Sequence, residues 1–412
     1  MRNNLAAGLS ALFIALGGIT VAAPGAAAES EHTKGQILVK FRDDRAAADV
    51  LKQHGLSDGP AVGSTAAHLI KVPSGKELQL VDALSRDSMV EYAEPDHVAT
   101  ATTADQYFPR QYALQNDGQS FTNTNGDITI AAGKEDADVD AVEAWSVTTG
   151  SGIKVAVIDS GVATDNPDIT PKVIARANFS TAPTSEDHYG HGTHVAGIIA
   201  AAADNTIGVA GVCPGCTILS GKVLNDNGVG SASSVVSGIN WAVFSGAKVI
   251  NMSIGAPASR TLETAINNAW RRGVVLVAAA GNGNSEAKNY PAAYPNVIAV
   301  AATDNTDARA PFSTFGADWV DIAAPGVDVY ATFPNHAFVL GVQNNRSQGY
   351  DVASGTSMSS PIVAATAALV WSSDPDASPG SVRARVESTA DSVAGTGTYW
   401  ANGRVNANNA VR

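Results

Sequence analysis

The chain has 412 residues, a formal net charge of −13, 45% hydrophobic and 16% charged residues, and 39 glycines. That balance supplies a large buried core and excludes a disordered chain. The acidic excess, with no Lys/Arg cluster anywhere, excludes a nucleic-acid binder.

The first predicted element is a signal peptide over residues 1–28, with Arg2, an apolar run from Leu5 to Val21 and small residues at Ala26-Ala27-Ala28. The run contains Gly17-Gly18, ends at Pro24-Gly25 and is shorter than the ~20 apolar residues of a membrane span. The expectation is a secreted, extracellular product with no stable membrane anchor. From Lys34 to Val98, "GQILVKF", "AHLIKV" and "VEYAEP" are predicted strands, and "RAAADVLKQHG" and "SGKELQLVDALSRD" are predicted helices. They form two βαβ-like halves close to a ferredoxin-like α+β layout. The threonine-rich "ATATTADQ" that follows is a linker or cleavage zone. The small unit is therefore bounded as 29–104 and the main body as 105–412.

In the main body, "IKVAVID", "AKVINMS", "VVLVAAAGN", "NVIAVAATD" and "WVDIAAPG" are near-continuous apolar strands, with helices such as Ser233 to Phe244 and Leu262 to Arg272 between several of them. Such strands alternating with helices predict an α/β fold whose mainly parallel central sheet is covered on both faces. Chemistry in such folds sits just past the carboxyl ends of the strands. The two cysteines, Cys213 and Cys216 in "GVCPGCTIL", lack the neighbours of a zinc site. In an exported protein they read as a local disulfide pinning a turn.

Three residues at strand and helix ends combine into one chemistry. Asp159 closes "VAVIDSGV", where a turn-forming Asp is the alternative. His191 lies in "GHGTHVAGIIAAA" before a small-residue helix; with His188 and His194 it forms H-x-x-H-x-x-H, a rival zinc reading that lacks the Glu of H-E-x-x-H. Ser357 lies in "SGTSMSSP", where Pro361 fits the first turn of a helix and the helix starts near Ser357. An N-cap serine is the plainer meaning. Together the three supply a nucleophile, a base to take its proton and a carboxylate to orient the base. The order Asp, His, Ser, with no histidine after His336, excludes an α/β-hydrolase.

These motifs, with "NMSIG", "AAAGNGN", "YPAAYPNVIAVAA", "FSTFG" and "DIAAPG", resemble the secreted subtilisin-family serine proteases, in flavour the thermitase-like branch. The resemblance spans nearly all of residues 105–412. It implies a three-layer subtilisin-like fold and a serine endopeptidase that cuts protein or peptide substrates as a monomer. Ser357 would be the nucleophile, His191 the general base, Asp159 its orienting carboxylate and Asn282 an oxyanion donor. Gly228-Val229-Gly230 and Ser253-Ile254-Gly255 would flank the substrate as neighbouring strands. The pocket for the residue before the cut would lie between Ser253-Ile254-Gly255 and Ala279-Ala280-Gly281, with Asn289 near its base and no charged group, suiting apolar or medium-sized side chains. A structural Ca²⁺ would be held by Asp105, Asp168, the Asn205 side chain and the carbonyls of Ala202, Ile207 and Val209, an oxygen-only set. The small unit resembles the family's propeptide, an intramolecular chaperone and inhibitor whose tail "EYAEPDHVA" would lie in the cleft. Two departures stand out: Ile362 where the family usually has His, and a longer stretch "NHAFVLGVQNNRSQGY" before the nucleophile, whose role is unread.

Overall fold

The computed structural model describes residues 32–97 and 104–412, and the chain divides into two compact units, one up to residue 99 and the other from residue 100. The predicted signal peptide and most of the linker lie outside the described residues. The first unit runs β1 (His32–Phe41), α1 (Ala47–Gln53), β2 (Ala67–Lys71), α2 (Glu77–Ser85), β3 (Val90–His97). Its sheet has the order β2-β1-β3 with both pairs antiparallel. Alternate residues of β1, Ile37, Val39 and Phe41, face a core shared with Val50, Leu51 and Leu84, the period-2 signature of a half-buried strand.

The second unit opens with a short pair, β4 (Phe121–Thr122) and β5 (Thr129–Ile130), and helix α3 (Ala141–Trp145). Then follow β6 (Lys154–Asp159), β7 (Val173–Asn178), α4 (His191–Ala200), β8 (Thr217–Lys222), α5 (Ala232–Phe244), β9 (Val249–Met252), α6 (Arg260–Arg271) and β10 (Val275–Ala279). The chain continues through β11 (Ile298–Thr303), β12 (Ile322–Pro325), β13 (Val329–Thr332), α7 (Val339–Asn344), β14 (Tyr350–Ala353), α8 (Thr356–Ser373), α9 (Pro379–Ser388) and α10 (Ala407–Val411). Seven strands form one sheet in the order β12-β11-β10-β9-β6-β8-β7, parallel throughout.

Both faces of this sheet are buried, which is why its strands read as unbroken apolar runs. Val155 and Val157 of β6 point into a core with α3, α4, α8, α9 and α10. Ala156 and Ile158 point the other way, against α5 and α6. The order reverses at β6, which has β8 on one side and β9 on the other. A crevice at the carboxyl ends of β6 and β9 follows from that reversal.

Helix α8 is buried along almost its whole length, as expected of a helix apolar on every side. Pro361 lies inside it rather than in its first turn, a correction to the sequence reading. The carbonyl that Pro361 cannot reach, that of Ser357, instead accepts a hydrogen bond from the Ser253 hydroxyl at 2.8 Å, so the missing rung is replaced from β9's end. Ile362 is fully buried in the core beneath α8. Cys213 and Cys216 form the expected disulfide. Among the described residues no helix is long and apolar enough to cross a membrane.

Candidate active site

Asp159 is the last residue of β6 and is fully buried. Its Oδ1 accepts hydrogen bonds from the Ser160 amide at 2.7 Å and from His191 Nδ1 at 2.8 Å. His191 opens α4, which has no side-chain cap at Gly190. Asp187 supplies the cap from further back. Its two oxygens accept from the Ser160 hydroxyl and Gly190 amide at 2.8 Å and from the Thr193 amide and hydroxyl at 2.9 and 2.6 Å. A carboxylate at a helix start is stabilised by the free N–H groups there; it also ties α4 to the end of β6. Burial disfavours the His191 imidazolium, but the charge and hydrogen bond of Asp159, backed by Asp187, outweigh it and raise the imidazole above its ordinary value.

Ser357 stands in the first turn of α8, half-buried. In this rotamer its hydroxyl donates to the Ser253 carbonyl at 3.3 Å rather than to His191; catalytic hydrogen bonds commonly tighten only with substrate bound. Asn282 follows the end of β10. Its Oδ1 accepts from the Thr356 amide at 2.9 Å and the Thr356 hydroxyl at 3.0 Å, and that hydroxyl accepts from the Gly281 amide at 3.0 Å. Two donors on Oδ1 fix the amide's orientation and leave Nδ2 as its outward donor. Gly355, at φ 153°, lies beneath that nitrogen: a Cβ there would come within 3.2 Å of Asn282 Nδ2. Sequence reasoning missed Thr356 as the residue that orients Asn282; its place beside Ser357 is the one signal for it.

Ser357 and Asn282 line a cavity of about 430 Å³ with Ser253, Ile254, Gly255, Ala279, Gly281 and Asn289. The two expected walls and the expected base are thus together. Ala280 is the exception, being fully buried in the core because alternate strand residues face opposite ways. The expectation of an uncharged pocket is also corrected, since the exposed Lys288 is part of the lining. On the other flank, the Val229 carbonyl accepts from the Asn225 amide at 2.9 Å, and the Val229 side chain is 63% exposed.

His188 and His194 do not join His191 as ligands. His194 is buried, its Nε2 lies 3.3 Å from the Asp351 carbonyl, and burial pushes it down to about 3. His188 stacks edge-on against His336, with centroids 5.0 Å apart. The stretch 335–350, unread in sequence, braces the loop before His191. The Val339 and Leu340 amides donate to the carbonyls of His188 and Tyr189 at 2.9 and 3.1 Å. Gly190, at φ 97°, has the Phe338 ring where any Cβ would stand.

The expected cation loop brings two buried carboxylates together. Asp168 accepts from Asn205 Nδ2 at 2.7 Å and the Val209 amide at 2.8 Å, and Asp105 from the Asp204 and Asn205 amides at 3.0 and 2.9 Å. Burial pushes Asp168 up to about 6, with the Asp105 charge adding to it against its hydrogen bonds. Neither has an ion-pair partner among the described residues. Asn205 Oδ1 accepts from the Ile207 amide at 2.9 Å. Two buried carboxylates with no ion-pair partner suit a hard cation, but the expected Asn205 ligand is corrected: its side chain turns Nδ2 to Asp168 and Oδ1 to the Ile207 amide.

Comparison with known proteins matches residues 150–408 to the model of the Subtilase family and residues 19–96 to that of the fervidolysin N-terminal prodomain. The prodomain match begins inside the segment read as a signal peptide. Thermitase of Thermoactinomyces vulgaris is 45% identical over 276 residues, covering 66% of this chain and 94% of that protein. The thermophilic serine proteinase of Bacillus sp. (strain AK1) is 39% identical over 389 residues, 92% of this chain and 88% of that one. A solved protease structure from Pseudoalteromonas arctica PAMC 21717 superposes with a TM-score of 0.64 at 28% identity, covering 76% of this chain and 99% of that chain.

Proposed function

Because the chain belongs to the subtilase family of serine endopeptidases, we propose that Ser357, His191 and Asp159 are its catalytic triad and that it matures by cutting its own prodomain. The Asp159 carboxylate holds the Nδ1 proton of His191 at 2.8 Å, which leaves Nε2 as the acceptor for the Ser357 proton. The Ser357 hydroxyl turns from the Ser253 carbonyl, its oxygen bonds to the scissile carbonyl carbon, and its proton passes to Nε2. The new oxyanion accepts from Asn282 Nδ2 and the Ser357 amide. His191 then returns the proton to the leaving amine, giving an acyl-enzyme that water opens by the same steps in reverse. Substrate lies as an extended strand between residues 228–230 and 253–255, with the side chain before the cut in the cavity lined by Asn289.

The observation that carries this reading is the Asp159–His191 hydrogen bond on a wholly buried carboxylate at the sheet's carboxyl edge. A serine-directed phosphonate tests it. One adduct on Ser357, abolished by His191→Ala and indifferent to chelators, is expected. An adduct elsewhere, or no adduct on a chain that binds peptides, favours an inactive peptide binder; chelator-sensitive cleavage favours a metal site.

The leader directs secretion, residues 29–104 act as chaperone and inhibitor until cleaved, and Asp105, Asp168 and the 202–209 loop hold a structural Ca²⁺. That ion would neutralise the two carboxylates and fix the loop; it takes no part in the peptide chemistry.

A further inference from the structure

The cavity beside Ser357 contains one charged side chain, Lys288. It is exposed, and among the described residues its ammonium makes no ion pair and no hydrogen bond. The remaining lining offers nothing to neutralise it: Ser253, Gly255, Gly281, Gly283, Ser285 and Thr314 are small or hydroxylated. Asn289 is occupied locally, its Nδ2 donating to the Ala279 carbonyl at 3.5 Å. Glu286, two residues before Lys288, is exposed and is not part of the lining. An exposed, unpaired cation in the lining of an otherwise uncharged pocket raises the local concentration of anionic groups and attracts a carboxylate placed there.

We infer that Lys288 is a specificity-determining residue that selects, for the position just before the cut bond, acidic side chains over their neutral isosteres. A glutamate is a better fit than an aspartate, because its longer stem carries the carboxylate further along a lining that includes Lys288, while its methylenes lie along the glycines there. Lysine in the same position meets a like charge. This inference rests on Ser357 being the nucleophile, since that places the cavity on the acyl side of the bond.

The test uses the mature enzyme and peptides that differ only in the residue before the cut, Glu, Gln, Leu or Lys, with kcat/KM measured for each. The Glu:Gln ratio cancels effects common to both peptides. An exposed ion pair is a weak interaction, so the ratio should fall by up to about fivefold in Lys288→Gln, and further in Lys288→Glu, where attraction becomes repulsion. It should hold in Lys288→Arg and shrink in wild type at about 1 M salt, where the Debye length is ~3 Å. A ratio that does not move in Lys288→Gln and Lys288→Glu, while Ser357→Ala is inert, overturns the role of Lys288 alone. Cleavage that survives in Ser357→Ala overturns the assignment of the nucleophile, and this inference with it.

Discussion

Replacing Thr356 by valine should separate the oxyanion donor's orientation from its presence. Thr356 is fully buried, and its hydroxyl joins the Gly281 amide to Asn282 Oδ1, both at 3.0 Å. Valine keeps the shape and removes the hydroxyl, so Asn282 retains only the Thr356 amide, at 2.9 Å, and the Gly281 N–H loses its acceptor. A lost net hydrogen bond is worth ~1 kcal/mol and an unsatisfied donor ~1–3 kcal/mol. A domain of this size should therefore melt roughly 2–6 °C lower. If the freed amide spends most of its time off target, the oxyanion loses ~1.4 kcal/mol of stabilisation. We expect kcat on an amide substrate to fall about tenfold with KM changed less than twofold, since Asn282 acts when charge develops and not on the bound ground state. Thr356→Ser, which keeps the hydroxyl, should restore kcat even where it melts early. An unchanged kcat in Thr356→Val would refute the reasoning, as would a Thr356→Ser variant as slow as the valine.

Because His191 is raised above its ordinary value, chiefly by Asp159 acting against burial, and must be neutral to accept a proton, the acid limb of kcat/KM should lie above ~6.5. Its contribution to stability has the opposite sense, fully present below the unfolded value and lost as pH rises through the folded one; a limb below ~6.5 would contradict the raised value, and a flat profile from about pH 5 to 9 would exclude His191 as the base. Removing Ca²⁺ with EDTA should lower the melting temperature while leaving activity in the cold, by loss of a ligand that binds only the folded state, and Asp168→Ala should melt equally with and without Ca²⁺ by calorimetry. Ser357→Ala should accumulate as an uncut chain beginning near Glu29, whereas wild type should yield a mature chain beginning between Ala99 and Asp105, as read by intact mass; maturation of the alanine variant in a host lacking other proteases would refute autoprocessing.

The strands of the sheet's centre were legible because burial on both faces removes the need for polar residues: β6, β9, β10 and β11 lie within the apolar runs that announce them. The edge strand β7 was not legible, since it carries Arg176 and Asn178 and none of its residues is buried. β8 was missed because Ser220, Gly221 and Lys222 break its apolar run although all three are buried. At the candidate site, Asp159, His191, Asn282 and Ser357 could be singled out from sequence because the proposed chemistry calls for those residue types at element ends. Their supports were not, because Thr356, Ser160 and Asp187 are ordinary polar residues whose roles come from hydrogen bonds made only in the fold. Lys288 escaped for a related reason: only the folded loop brings it to the cavity beside Ser357.

The placement of β6 between β8 and β9 has a kinetic consequence. Its first partner in the sheet, β8, arrives only after β7 and α4 have been made, and β9 only after α5. Asp159, Asn282 and Ser357 come from widely separated parts of the chain, so the contacts that bring Ser357 and Thr356 to Ser253 and Asn282 close long loops before any return in burial. Parallel, non-local pairing of this kind makes for slow folding and long-lived exposed strand edges. The first unit is smaller, a three-stranded antiparallel sheet closed within a single short stretch of chain, so fewer loops must close before its core is buried. A small segment, synthesised ahead of a large one with many long-range pairings, can be complete before Asp159, Asn282 and Ser357 have met.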